Sequence, residues 1–284
     1  MAEIIDGKKV AEHLRKEVRE EVKRLKEESG IVPGLAAVLV GNNPASQIYV
    51  RNKRKACEEV GIYSEEHNLP EEATEGDLLS LVEKLNYDEK IHGILVQLPL
   101  PKQINEAKIL KAVSPLKDID GFHPENMGLL VEGNPRFVPC TPYGIIKLLD
   151  YYGIEIQGKE AIVVGRSNIV GKPVSLLLLH RHATVTICHS RTRALPEVTR
   201  RADILIAAIG RARFITEDMV KEGAVVIDVG INRLPDGKLS GDVDFERVRE
   251  KASYITPVPG GVGPMTIGML LWNTFSSAKN SQKP

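Results

Sequence analysis

The sequence predicts an α/β protein of two α/β domains flanking a cleft, the second a Rossmann-like nucleotide-binding domain. Three observations carry that expectation. Apolar runs of strand length alternate with helical patterns along the whole chain, which favours mostly parallel strands joined by crossover helices. A length of 284 residues suits two medium domains. The stretch "AIVVGRSNIVGKPVSLLLLHRH" reads as a strand, a glycine loop and a helix, in the order that opens a nucleotide-binding unit. The first domain is expected over 1–146 and the second over 147–263. A C-terminal helix over about 264–284 is expected to pack back on the first.

Along the chain, "KKVAEHLRKEVREEVKRLKEE" mixes both charge signs at helical spacing and reads as a solvated amphipathic helix. "GLAAVLVG" is an apolar strand ending at Gly41. "NNPAS" then opens a helix, with Asn43 as N-cap and Pro44 at the first helical position, and Gly61 ends it. A strand over 63–69 and a helix over 75–86 follow. "IHGILVQLPLP" is a buried strand ending in proline. A short helix over 105–112 leads into "SPLKDIDGFHPENMG", which reads as loop. "PCTPYGIIKLLDYYG" is a helix entering the second unit, whose strands are "AIVVG", "ATVTICH", "ADILIAAIG" and "AVVIDVGIN", with helices between them. "TPVPGGVGPMTIGMLLWNTFSSA" is a Gly/Pro-rich loop and an apolar helix.

Composition narrows the function classes. The chain is 42% hydrophobic and 27% charged with zero formal net charge, an ordinary globular balance that argues against nucleic-acid and acidic-membrane partners. Cys57, Cys140 and Cys188 form no C-x-x-C pair, and His180 with His182 is the one close histidine pair, so no disulfide framework and no metal are expected. The N-terminus lacks the apolar core of a signal peptide, and no apolar run reaches membrane-span length. The expected location is the cytoplasm.

Two groups of residues carry candidate chemistry. Wound as a helix, "SQIYVRNKRKACEEVGI" places Tyr49, Lys53, Ala56, Cys57 and Val60 on one arc, with Arg51, Arg54, Lys55, Glu58 and Glu59 opposite. A lysine centred on an apolar stripe snorkels, finds a partner, or loses its proton more easily than usual. Active sites of open parallel sheets lie beyond the strands' carboxyl ends, where Gln97 would join this helix, and "KDIDGF" adds Asp118 and Asp120. Taken singly, Gln97 also reads as a strand-end cap and the aspartates as a turn.

The second group surrounds the glycine loop. Gly165 can make the tight turn, Gly171 allows close backbone approach, and N–H groups at the helix start can face a phosphate. Two glycines six apart are not G-x-G-x-x-G, and the same loop also fits a plain βα turn. After the next strand, where an NAD site places an acidic residue, this chain has His189, Ser190 and Arg191. With Arg166, these favour NADP, because arginine and serine bind a 2′-phosphate that a carboxylate would repel.

Taken together, "YVRNKRKACEEVGI", "GILVQLPLP", "KDIDGF", "PCTPYG", "VVGRSNIVGKP", "CHSRT", "ADILIAAIG", "VIDVGIN", "GDVDF" and "TPVPGGVGPMT" resemble the bifunctional methylenetetrahydrofolate dehydrogenase/methenyltetrahydrofolate cyclohydrolase family, in its order and over nearly the whole chain. The resemblance implies NADP-dependent oxidation of 5,10-methylenetetrahydrofolate and hydrolysis of the methenyl product to 10-formyltetrahydrofolate. It implies that Lys53 is the acid/base group of the hydrolysis, supported by Gln97. Tyr49 packs on the folate and Asp120 bonds the pterin edge. The cofactor falls to Gly165, Arg166, Ser167, Gly171, Ser190, Arg191 and Ile231, and the substrate also to Pro259, Gly260 and Gly261. It further implies a homodimer in one-carbon metabolism, serving purine biosynthesis. Two other readings compete. Tyr-x-x-x-Lys is also the short-chain dehydrogenase signature, but there the glycine loop precedes the pair, whereas here it follows. A non-catalytic NADP sensor would explain the glycine loop but not Lys53, Gln97 and Asp120.

Overall fold

The computed structural model describes residues 1–281. The chain divides into two compact units, residues 1–12 with 141–266, and residues 13–140 with the chain from 267 onward. It opens with β1 (Glu3–Ile4) and α1 (Gly7–Ser29).

The three-stranded unit continues with β2 (Gly34–Val40), α2 (Pro44–Val60), β3 (Tyr63–Leu69), α3 (Glu75–Tyr87), β4 (Gly93–Val96), α4 (Glu106–Ala112) and α5 (Pro124–Val131). Its sheet is parallel, in the order β3-β2-β4. Central β2 is buried at all seven positions, which explains its unbroken apolar sequence. Ala36, Val38, Ile94 and Val96 pack there with Leu78, Val82 and Ile109 from the helices. Helix α1 buries Leu14, Val18, Val22 and Leu25 at helical spacing. Helix α2 starts as its cap predicts: the Ser46 N–H donates to Asn43 Oδ1 at 3.2 Å, and Gly61 follows it at φ 81°.

Residues 124–128, expected as loop, lie in α5, which runs Pro124–Val131. Pro124 occupies its first turn, the His123 ring accepts from the Glu125 N–H at 3.1 Å, and Asn126 and Leu130 are buried. A proline start, an acidic first turn and a buried face outweigh the loop-like Asn and Gly.

The six-stranded unit contains α6 (Cys140–Tyr151), β5 (Glu160–Val164), α7 (Gly171–His180), β6 (Thr184–Cys188), α8 (Leu195–Thr199), β7 (Ile204–Ala207), β8 (Val225–Asp228), the hairpin β9 (Asn232–Arg233) and β10 (Leu239–Ser240), α9 (Phe245–Val248) and β11 (Tyr254–Ile255). Helix α10 (Val262–Asn280) ends the described chain. The sheet order is β1-β11-β8-β7-β5-β6, parallel throughout. The β7–β8 crossover holds a 3₁₀ turn (Glu217–Met219) instead of the expected α-helix. Residues 1–12 group with this unit because β1 pairs with β11, whereas the sequence placed them in the first domain, and the division falls at 140/141 instead of 146/147. Register aligns Cys188, Val164, Ala207 and Asp228 in one row, so the loops after β6, β5, β7 and β8 leave the same edge.

Candidate functional site

In the three-stranded unit, α2 alternates as its pattern predicts. Lys53, Ala56, Cys57 and Val60 are buried, while Arg51, Arg54, Lys55, Glu58 and Glu59 are exposed. Lys53 is only 9% exposed, and its Nζ donates to Gln97 Oε1 at 3.1 Å. Gln97 follows β4, which pairs with β2 through Val38 and Val96, so adjacent parallel strands deliver both groups to one end of the sheet. Gln97 Nε2 donates to the Leu98 carbonyl at 2.8 Å, which turns the amide oxygen toward the lysine. Burial pushes the Lys53 pKa below its ordinary value, against opposing pulls from Asp120, Cys140 and Cys57. Tyr49, one turn earlier, keeps 40% of its surface exposed and so offers a ring face to a flat ligand.

The two aspartates of "KDIDGF" divide their work. Asp118 is 4% exposed and accepts from the N–H groups of Phe122 and His123 at 3.1 and 2.7 Å and from Asn126 Nδ2 at 2.8 Å. It is the turn residue. Asp120 faces the Lys53 charge. Burial raises its pKa to about 6, with Lys53 holding it down, Asp118 pushing it up, and the Cys140 thiol holding it down through a hydrogen bond. Cys140 is itself pushed well up, burial first, so it stays a neutral thiol. Asn273 of α10 donates to the Ile119 and Val138 carbonyls at 2.8 and 3.0 Å and so braces this segment. Neither Cys140 nor Asn273 stood out in the sequence, since each looks like an ordinary core position.

In the six-stranded unit, Gly165 follows β5 at φ 137°, and a Cβ there would stand 2.2 Å from the Ala208 carbonyl oxygen, so no other residue fits. Ser167 Oγ accepts from the Val170 and Gly171 N–H groups at 3.1 and 3.3 Å and shapes the loop into α7. Strand order turns back at β5, with β6 on one side and β7 on the other, the switch point where such sheets take a dinucleotide. Val164 and Cys188 are register partners, so Arg166 and Ser190 each stand two residues beyond the same row. Arg166, Ser190 and Arg191 are all exposed, and the Arg191 N–H donates to His189 Nδ1 at 3.1 Å within a tight turn. The glycine cradle and the absence of an acid after β6 fit a 2′-phosphorylated dinucleotide. Ile231, 48% exposed, follows β8 at the same edge. Pro259, Gly260 and Gly261 follow β11 there, Pro259 exposed and Gly261 buried. The sequence-predicted residues thus fall into two groups. Lys53, Gln97 and Asp120 meet around one buried charge, with Tyr49 and Asp118 in the same unit, and the remainder line one edge of the six-stranded sheet.

A parallel sheet with a switch-point glycine loop, in a chain that also carries a buried Lys–Gln–Asp cluster, defines a nicotinamide-nucleotide class of α/β protein. Residues 5–120 match the model of the tetrahydrofolate dehydrogenase/cyclohydrolase catalytic domain, and residues 139–282 match that family's NAD(P)-binding domain; the chain belongs to this family. It is 64% identical over 278 residues to the bifunctional protein FolD of Moorella thermoacetica, covering 98% of this chain and 99% of that one. The crystal structure of the bifunctional FolD methylenetetrahydrofolate dehydrogenase/cyclohydrolase of Campylobacter jejuni superposes with a TM-score of 0.97 at 52% identity, over 99% of this chain and 100% of that one. The methylenetetrahydrofolate dehydrogenase-cyclohydrolase of Trypanosoma brucei, solved with NADP and an inhibitor, has a TM-score of 0.95 at 42% identity, over 100% and 99%.

Proposed function

We propose that Lys53, oriented by Gln97 and set against Asp120, is the proton-transfer group of a bifunctional, NADP-dependent methylenetetrahydrofolate dehydrogenase and methenyltetrahydrofolate cyclohydrolase. Membership of the family carries the pair of activities. The bond from the buried Lys53 to Gln97 is the observation that carries the assignment of the residue. A lysine whose charged form is disfavoured by burial gives up a proton more readily than a solvated one and can regain it. In this reading Lys53 handles the proton of the water that adds to the methenyl carbon and later protonates the departing ring nitrogen. Tyr49 orients the folate ring by stacking, and Asp120 accepts from the pterin edge. Pro259, Gly260 and Gly261 contribute to holding the substrate.

The 2′-phosphate of NADP is read by Arg166, Ser190 and Arg191, and the rest of the cofactor by Gly165, Ser167, Gly171 and Ile231. When bound, NADP supplies the hydride acceptor, and the protein's part in that step is to orient and desolvate. Mixing the chain with NADP and methylenetetrahydrofolate tests the function. Growth of the NADPH absorbance band, with 10-formyltetrahydrofolate as end product, is expected, and silence in both readouts overturns it.

The same reading makes the protein a cytoplasmic homodimer of one-carbon metabolism, with purine biosynthesis consuming its product. Among the described residues no helix is long and apolar enough to cross a membrane, and β3 has a strand neighbour on one side only. An unpaired strand edge favours self-association. Light scattering is expected to give twice the 31.3 kDa chain mass, and a monomer at all concentrations refutes the dimer.

A further inference from the structure

Apart from Ile231, "VIDVGIN" and "GDVDF" supply no side chain to either group above, yet they interlock. Asp228, the last residue of β8, is 2% exposed. Its Oδ1 accepts from the N–H groups of Asp242 at 2.8 Å and Gly230 at 3.0 Å, and its Oδ2 accepts from Val243 at 2.9 Å. Asp242 is fully buried. Its Oδ2 accepts from the N–H groups of Ile209 and Gly210 at 2.6 and 2.9 Å, and its Oδ1 from Arg211 N–H and Asn232 Nδ2, both at 2.9 Å. Each carboxylate also occupies the space beside the other segment's glycine. A Cβ on Gly230 would stand 2.1 Å from Asp242 Oδ1, and one on Gly241 would stand 1.8 Å from Asp228 Oδ2. Burial pushes the Asp228 carboxyl up to about 7 while three backbone N–H groups hold it down. An arrangement that places two acids side by side in the interior needs a reason beyond packing, since apolar side chains would fill the space at lower cost.

The loops these carboxylates hold supply that reason. They are residues 209–211 after β7 and 229–231 after β8, at the edge where the glycine loop after β5 and the arginine turn after β6 also stand. In a switch-point sheet the glycine loop takes the pyrophosphate and the 2′-phosphate lies toward β6. The other half of the dinucleotide then runs toward β7 and β8. We propose that Asp228 and Asp242 are positioning residues for the nicotinamide half of the cofactor. Their paired carboxylates fix the loops after β7 and β8, and with them Ile231, in the shape that receives it. The proposal rests on reading the six-stranded unit as the NADP site.

Asp242→Asn tests it. The amide keeps the shape but exchanges one acceptor oxygen for a donor, so two of the four bonds that Asp242 accepts, from the 209–211 loop and Asn232, are lost. NADP and NAD binding are measured by titration, and hydrolysis of methenyltetrahydrofolate, which needs no cofactor, is measured in parallel. Both cofactors should weaken by the same factor, about tenfold. The NADP-to-NAD preference set by Arg166, Ser190 and Arg191 should stay unchanged, and so should cofactor-free hydrolysis. Parent-like binding of both cofactors overturns the proposal, as does a hydrolysis rate that falls in step with affinity. Asn232→Ala removes one bond to Asp242 at a half-buried site. It should show the same pattern at smaller size, which keeps the test decisive if the first variant misfolds. Failure of the parent chain to bind NADP would instead overturn the underlying site.

Discussion

Lys53 and Arg191 are both cations on helix or loop segments beyond parallel strands, but their surroundings are opposite. Lys53 is 9% exposed with a lowered pKa, and Arg191 stands open to water beside Arg166 and Ser190. A desolvated lysine has a charge that can be switched by one proton. An exposed guanidinium is charged at every accessible pH and works as a fixed charge with directed donors. The first environment suits chemistry on a proton, and the second suits recognition of an anion that does not react.

The strongest way to break that contrast is Lys53→Met. Methionine suits the apolar stripe and removes a buried cation, so the fold should hold and melt no lower than the parent near neutral pH. Cyclohydrolase activity should fall by roughly 10²–10⁴-fold. Some dehydrogenase activity should survive, so methenyltetrahydrofolate accumulates, visible by its absorbance. Hydrolysis at near-parent rate would make Lys53 merely a buried lysine with a good partner.

Next in size is Arg191→Ala or Arg166→Ala. Loss of a charge-assisted contact should weaken NADP by roughly 1.5–3 kcal/mol, about tenfold to a hundredfold, and leave NAD nearly untouched. Equal loss for both cofactors in calorimetric titration would remove the residue from 2′-phosphate recognition.

Asp120 sharpens the comparison from within. Asp120→Ala should weaken folate binding and spare NADP binding. Asp120→Asn adds a sign that can be worked out. The ionised carboxylate raises the Lys53 pKa, so neutralising it lowers that pKa further. The limb of the cyclohydrolase pH profile that belongs to Lys53 should move to lower pH, and a limb near 6, where Asp120 itself titrates, should vanish. Profiles that coincide would separate the two groups. The smallest effect is expected of Tyr49→Ala. Its ring is 40% exposed, so thermal stability should change by no more than about 0.5 kcal/mol while the KM for folate rises. A large loss of stability would make it a packing residue.

How much of this was legible in the sequence depended on pattern length. The seven-residue β2 and the seventeen-residue α2 announce themselves by an unbroken apolar run and helical alternation, so the position of Lys53 on the apolar face of α2 is legible in the sequence. Gln97 was legible because it interrupts an apolar run. Helix α5 had a proper start in "HPEN" but is only eight residues long, too short for its period to outweigh Asn and Gly. Strands β1 and β11 have two residues each and carry no period at all. The Asp228–Asp242 clamp is a relation between segments, and a sequence shows each aspartate without the backbone N–H groups that surround it.

The pairing of β1 with β11 sets residue 3 beside residue 254. Helix α10 likewise supplies Asn273 and Ser277 to carbonyls at Ile119, Val138, His92 and Leu116. A ribosome that has released the first half of this chain has therefore finished neither unit. The three-stranded sheet waits for its last helix, and the first strand of the six-stranded sheet has no neighbour until its partner emerges some 250 residues later. Contacts of such long sequence separation form slowly. The nascent chain consequently spends most of its synthesis with an open strand edge, and its maturation in the cell is predicted to be largely post-translational and sensitive to chaperone supply.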